Sequence, residues 1–213
     1  MTSRPAETLA QRKRQLVADE LTQAALTLLA RDGFDAVTVD EIAAAAGVSK
    51  RTFFRYFASK EDVVVQFLAG MGTAMGEELA GRPAAESPSA ALRATVWRSI
   101  DACAGHAERA LPVVQLILRT PALLGRFLER QAQWREVLAQ EVARRLRLDP
   151  VTDLYPQLAA GMALTAFHAV LQRWCDSDGA EDPAALTDQA FAVIAPALDA
   201  GAGADQAGLP GHR

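Results

Sequence analysis

Cysteine, histidine and aromatic residues are scarce in this chain. Its two cysteines, Cys103 and Cys175, are too few for a disulfide framework and suit a reducing compartment. Three histidines, His106, His168 and His212, offer little for a metal centre. Cys103 and His106 stand three apart on one helical face and would make half a zinc site or a thiolate pair, but no second pair with ligand spacing follows. No G-x-S-x-G, P-loop or Rossmann glycine pattern occurs, so no catalytic residue, metal or cofactor is assigned and an enzyme is not expected. Sustained period-two alternation is missing too, which leaves no predicted strand. No internal repeat of fixed period occurs. The opening residues are polar, with Arg4, Arg12, Lys13 and Arg14 and no apolar run behind them, so no secretory signal is read and a cytoplasmic location is expected.

What the chain does have is apolar material in quantity. Half of the 213 residues are hydrophobic, enough to bury a substantial core in one or two domains. One stretch without formal charge, Leu154 to Gln172, is long enough to span a membrane. Its Pro156, Gln157, Thr165, His168 and Gln172 would be costly in lipid, and its small residues suit tight packing within protein, so it reads as a core helix. The net charge of −4 is unevenly spread. Residues 1–60 hold nine Lys or Arg against seven Asp or Glu, a balance of +2, while the remainder holds 13 against 19, or −6. A basic excess confined to one end is what local contacts to a polyanion require.

That end carries the most informative segment. From Thr38 to Asp62 the chain reads T-V-D-E-I-A-A-A-A-G-V-S-K-R-T-F-F-R-Y-F-A-S-K-E-D. Thr38 with Glu41 three residues on is a capping-box pattern, so a helix starts near Val39. Ile42 and four alanines continue it to Gly47, which can take the left-handed backbone of a sharp turn. Ser49 is a candidate N-cap for a second helix over Lys50 to Phe57, and Ser59 with Asp62 marks a third.

Placing the second helix's residues about 100° apart puts Phe53 and Phe57 on one inward face. Arg51, Thr52, Arg55 and Tyr56 take the opposite arc, with Lys50 at the exposed start. Arg and Lys can bridge guanine O6 and N7, Thr can meet thymine, and Tyr can donate to a phosphate. Lys60, opening the next helix, has charge available for a phosphate. The same outline also serves as a protein-docking surface in helical proteins, and both uses fit these residues.

The unit from R-D-G-F (Arg31 to Phe34) through V-T-V-D-E-I-A-A-A-A-G-V-S-K-R-T-F-F-R-Y-F and S-K-E-D resembles the DNA-binding domain of the TetR family of bacterial transcriptional regulators. With the preceding helix the ungapped likeness covers about sixty residues. The resemblance implies a homodimer that places one recognition helix per subunit in successive major grooves of palindromic operator DNA. Carried over position by position, it implies DNA contacts at Thr38, Ser49, Lys50, Arg51, Thr52, Phe54, Tyr56 and Lys60. Phe54 stands where the family often has tyrosine, which removes one hydroxyl from that set. Arg55 joins the set from the face analysis alone.

The remaining segments read as helices throughout. Leu21, Ala24, Ala25, Leu28 and Leu29 form an amphipathic stripe ending at Gly33, the back of a three-helix unit. Arg12 to Arg14 at its start either reach phosphates or belong to a disordered arm. The helix opening at Lys60 carries Gly70, Gly72 and Gly76, which make it either a compliant link or a closely packed one. After G-R-P-A-A-E-S-P, five helices are predicted over 89–103, 108–118, 121–146, 152–175 and 183–200, with Pro112 near the first turn of its helix. The chain is thus expected to be all-α with about nine helices. Residues 1–60 form a helix-turn-helix DNA-binding domain, 61–200 an effector-binding and dimerisation domain, and 201–213 a disordered tail.

Within that family likeness the last two helices are expected to form the dimer interface, with Leu158, Met162, Leu171, Trp174, Phe191, Ile194 and Leu198 as candidates, although intramolecular core would use the same residues. Val170 and Val193 share these faces. Trp97, His106, Phe127, Trp134 and Phe167 are candidates for an effector pocket, while aromatic residues on helices serve as core equally well. Arg119 to Leu138 resembles the C-terminal domain of regulators of the mycofactocin-system type. That likeness implies a hydrophobic or acyl-CoA-like small molecule, with Arg119, Arg126 or Arg130 near its phosphates. The expected function is a repressor released from its operator by such an effector; an activator, an effector-independent regulator or a docking domain without DNA binding are the alternatives.

Overall fold

The computed structural model describes residues 8–104 and 107–204. Nine α-helices are present among the described residues. They are α1 (Leu9–Asp32), α2 (Val39–Ala45), α3 (Lys50–Tyr56), α4 (Lys60–Gly81), α5 (Pro88–Ala104), α6 (Ala107–Arg119), α7 (Pro121–Leu146), α8 (Leu154–Asp176) and α9 (Pro183–Ala204). No strand occurs among them. The chain divides into two compact units, Met1–Phe67 and Leu68–Arg213, so α4 contributes to both.

In the first unit, Leu21, Ala25, Leu26 and Leu29 of α1 are buried with Val37, Ile42, Ala43, Phe53, Phe57, Val63 and Val64. Leu21, Ala25 and Leu29 of the stripe read from the sequence build the core, joined by Leu26, while Ala24 and Leu28 are half-buried at its edge. The basic run Arg12 to Arg14 lies within α1 rather than ahead of it. α2 ends in a Schellman motif: Gly47 N–H donates to Ala44 O at 3.0 Å and Val48 N–H to Ala43 O at 2.9 Å. Gly47 takes φ +65, a conformation that strains any other L-residue, and this makes the turn tight enough to bring α3 directly after α2.

The second unit packs α5 against α9, and α8 against α5, α7 and α9. Buried Ala159, Ala160, Ala163 and Ala166 let α8 approach its neighbours closely, with Phe167, Val170, Leu171 and Trp174 filling the space between. α8 is long and apolar enough to cross a membrane, but half of its most apolar window is buried within the chain, as befits a core helix. α4 runs without a break through its glycines. Gly72 and Gly76 are buried against Trp134 and Val137, so close packing explains these two, whereas Gly70 meets open space. Arg145 closes the C-terminal end of α4, donating from Nη1 to Arg82 O at 2.9 Å and from Nη2 to Pro83 O at 2.8 Å. Asp199 of α9 caps α5, accepting from Ser89 N–H at 3.0 Å and from its hydroxyl at 2.8 Å.

The helices depart from the sequence expectations at several points. Pro112 stands inside α6 rather than in its first turn, because that helix starts at Ala107. The α6 segment Ala110–Arg119 then meets α7 at 96°, where Thr120 leaves the helical conformation ahead of Pro121. At the other end, α9 continues to Ala204 instead of stopping at Ala200; residues 205–213 of the expected tail lie outside the described residues.

Candidate nucleic-acid interface

α3 is short, and its position depends on local capping. Ser49 Oγ accepts from Thr52 N–H at 3.1 Å and shares a hydrogen bond with the Thr52 hydroxyl at 3.0 Å. Phe53 is fully buried and lies 5.6 Å, centroid to centroid, from the buried Phe57. These two rings anchor the helix, so the opposite arc faces outward as the angular spacing predicts. Ser49, Arg51, Thr52, Phe54 and Arg55 together line a surface hollow on that arc. Phe54 is 50% exposed at this hollow, which leaves its ring open to a contact from outside.

The remaining members of the set have partners of their own. Tyr56 is half-buried beneath two guanidinium groups, with Arg55 at 5.2 Å and Arg14 of α1 at 5.9 Å from the ring centroid. Arg14 thereby brings the basic start of α1 to the end of α3. Thr38 completes the capping box: its hydroxyl accepts from Glu41 N–H at 3.3 Å, and Glu41 Oε2 accepts from Thr38 N–H and hydroxyl at 2.8 Å each. These hydrogen bonds, the backbone one foremost, hold the Glu41 carboxyl below its ordinary range. Lys50 Nζ donates to Asp40 Oδ2 at 2.8 Å.

Lys60 occupies a different place from the one its charge suggested. Its ammonium donates to Phe34 O at 2.5 Å and Val37 O at 3.0 Å and lies 4.6 Å from the centre of the Phe34 ring. Those carbonyls belong to the loop between α1 and α2, so Lys60 ties that loop to the start of α4. Sequence reasoning missed this because the partners are 26 and 23 residues away. It also passed over Asp40, whose spacing from Lys50 has no helical or turn signature.

In the second unit, Phe127, Trp134 and Phe167 gather into one aromatic cluster, with centroids 5.8, 6.4 and 6.2 Å apart, and His168 stands edge-on to Phe127 at 5.3 Å. Burial holds the His168 pKa below its usual value, favouring the neutral imidazole. The Trp134 indole N–H and the Gln131 amide nitrogen are buried without a hydrogen-bond partner. Trp97 is half-buried and outside the ring cluster, and His106 lies outside the described residues, as does the Cys103 side chain. A separate cavity of about 20 Å³, bounded by Leu79, Leu92, Val142 and Arg145 among others, has room for about one water molecule. Arg119 donates to Cys175 O at 3.0 Å, Arg126 to Glu129 at 2.9 Å and Arg130 to Gln133 at 2.6 Å.

Of the residues considered for a dimer interface, Leu171, Trp174, Phe191 and Leu198 are covered by their own chain. A side chain so enclosed has no surface to offer a second copy, and these four are core. Leu158 is 52% exposed, and Met162 and Ile194 are half-buried.

A capped helix-turn-helix followed by a larger all-helical unit is the build of a transcriptional regulator. Sequence comparison agrees: the profile of bacterial regulatory proteins, tetR family, matches residues 21–67, and that of the MftR C-terminal domain matches residues 83–199, more than half of the chain. The chain is 34% identical over 172 residues to the HTH-type transcriptional regulator TcmR of Streptomyces glaucescens, covering 78% of this chain and 76% of that protein. It is 32% identical over 206 residues to the mycofactocin biosynthesis transcriptional regulator MftR of Mycobacterium tuberculosis, covering 92% and 98%. Its fold is similar to that of the transcriptional regulator FadR from Bacillus subtilis in complex with stearoyl-CoA, with a TM-score of 0.64 at 22% identity over 86% of this chain and 98% of that one. The chain belongs to the TetR family of bacterial transcriptional regulators.

Proposed function

We propose that this regulator is a cytoplasmic, homodimeric repressor that binds a palindromic operator and leaves it when a small hydrophobic molecule occupies the C-terminal helices. Residues 1–60 read the DNA; residues 61–200 bind the effector and join the two copies. The observation that carries the DNA reading is the outward arc of α3, where Arg51, Phe54 and Arg55 surround an open hollow over a ring-anchored helix. Arg51 supplies a bidentate donor for guanine, Phe54 an apolar surface for a thymine methyl, and Ser49, Thr52 and Tyr56 short polar contacts. Thr38 and Lys60 support this surface through the hydrogen bonds they already make. Dimerisation uses the faces of α8 and α9 on which Leu158, Met162, Ile194 and Val193 keep exposed surface.

The effector site is the Phe127–Trp134–Phe167 cluster, supported by its two unpartnered donors, Trp134 Nε1 and Gln131 Nε2, which a bound acceptor would satisfy. The cluster is closed in this structure, so binding selects a conformation in which the rings part. The Bacillus subtilis relative in fold binds stearoyl-CoA, and an acyl chain suits these apolar walls. Ligand favours a spacing of the two reading heads that no longer fits half-sites about one helical turn apart.

Selection of bound sequences from a random duplex pool, followed by titration at two salt concentrations, tests the reading. An enriched palindrome bound by a dimer, with affinity falling steeply as salt rises, is the expected result. Arg51→Ala is expected to weaken the selected site by about 1–3 kcal/mol and relax one base position. Absence of enrichment would exclude sequence-specific DNA binding.

A further inference from the structure

Asp40 is the second residue of α2 and Lys50 the first of α3, so each stands in the opening turn of its helix. Their ion pair spans the corner of the helix-turn-helix at 2.8 Å, with the Lys50 side chain 55% and the Asp40 side chain 65% exposed. Two neighbouring carboxylates are committed to the protein. Glu41 accepts from Thr38 N–H and hydroxyl, and Asp62 accepts from Ala58 N–H at 2.9 Å and from the Gln66 amide at 3.1 Å. Asp40 is held by a flexible lysine in open water, the weakest class of ion pair, and can change partner readily.

We propose that Asp40 is a specificity-determining residue of this regulator, accepting a hydrogen bond from cytosine N4 in the major groove while Lys50 donates to the O6 of the paired guanine; the inference rests on the DNA reading above. Duplex DNA offers a carboxylate few welcome neighbours. Phosphates repel it, and guanine N7 and O6, adenine N7 and thymine O4 are all acceptors. The donors on the major-groove edge are cytosine N4 and adenine N6. A carboxylate carried into the groove therefore rewards those bases and penalises the rest, discrimination that a lysine alone does not provide.

The spacing supports a joint reading. Cytosine N4 and guanine O6 are hydrogen-bonded to one another in the base pair, at an ordinary N–H···O distance of about 2.9 Å. The Asp40 carboxylate and Lys50 ammonium stand 2.8 Å apart, so the two can face that edge without first separating. Adenine N6 beside thymine O4 repeats the order of donor and acceptor, but guanine adds a second acceptor, N7, which favours C·G for a lysine.

The test is sequence selection by the full-length protein in three forms: wild type, Asp40→Asn and Asp40→Ala. Circular dichroism melts check that each variant is folded, and Asp40→Asn, nearly isosteric and exposed, keeps the test open if the alanine form fails. Asp40→Ala is expected to keep most of the selected motif and lose preference at one C·G pair per half-site, and Asp40→Asn, whose amide keeps an acceptor oxygen but adds a donor, is expected to shift that preference towards A·T, read through adenine N6 and N7. Discrimination at that pair is expected to fall by roughly 5- to 150-fold, the range of one good base contact. Unchanged preference overturns the proposal. So does an equal gain in affinity for every sequence, which would make Asp40 a simple electrostatic brake. A wild-type protein that enriches nothing would overturn the DNA reading itself, and this inference with it.

Discussion

Gly72 of α4 lies so close to Trp134 of α7 that a Cβ placed on it would come within 2.0 Å of the indole Cδ1 and 2.2 Å of Nε1. The ring edge rests on bare backbone while Trp134 also meets Phe127 and Phe167. Gly72→Ala would gain about 1 kcal/mol of helix propensity and lose about 1–3 kcal/mol to overpacking. A net loss of stability in urea unfolding, with altered tryptophan fluorescence, is expected. A more stable variant would mean that the indole moves aside without cost.

Lys60 places one ammonium on two loop carbonyls. Lys60→Met would leave Phe34 O and Val37 O without their charged donor, at a cost of about 1–3 kcal/mol. The unfolding midpoint is expected to drop while the salt dependence of DNA binding keeps its slope. The opposite pattern, intact stability and a slope reduced by about one, would return Lys60 to a phosphate.

Thr38→Ala removes the N-cap of α2 and is expected to destabilise the protein by about 1 kcal/mol near neutral pH. The Glu41 carboxyl is held below its ordinary pKa by Thr38. Its contribution is therefore fully present above the unfolded glutamate value of about 4.3 and is lost as pH falls through the folded one. Melting curves of wild type and Glu41→Ala should draw together over that acidic window, and a constant gap would show that the Glu41 carboxylate does not strengthen the cap.

At the alkaline end a half-buried phenol and a buried thiol act with the opposite sign. Burial pushes the Tyr155 phenol up to about 12 and the Cys175 thiol up to about 11, from 10.0 and 9.0. Tyr155 also donates to the carbonyl of Leu198. The folded protein keeps these protons longer than the unfolded chain, so stability is expected to decline as pH rises from about 9 towards 12. Denaturant midpoints at several alkaline pH values measure it. Cys175, with no exposed surface, should resist alkylation until the chain unfolds, as mass spectrometry of the modified site would show.

His168 carries the corresponding acid dependence in the second unit. Its pKa is lowered by burial, so the neutral ring is favoured in the folded state. Stability is expected to be lost as pH falls below the unfolded value of about 6.5 towards the folded one. His168→Gln should flatten that part of the profile relative to wild type. An unchanged profile would assign the loss to other groups.

Much of this architecture is written locally. The capping box at Thr38, the left-handed Gly47 and the Ser49 cap each involve groups within five residues of one another, so their spacing alone foretells two helices and a tight turn. The inward pair Phe53 and Phe57 follows from the helical repeat for the same reason. The apolar residues of α8 and α9 were less legible, since periodicity marks a buried face without saying what covers it. Leu171, Trp174, Phe191 and Leu198 proved to be enclosed by their own chain.

By itself, then, the sequence determined an all-helical chain with a helix-turn-helix corner, because helix starts, stops and faces depend on hydrogen bonds and angles inside a short window. Only the tertiary structure decided how the charges and rings are used. Lys60 turned to loop carbonyls more than twenty residues away, Lys50 to Asp40, and Trp134 to the bare backbone of Gly72. Such partners are chosen by how whole elements pack, and sequence spacing carries no record of that choice.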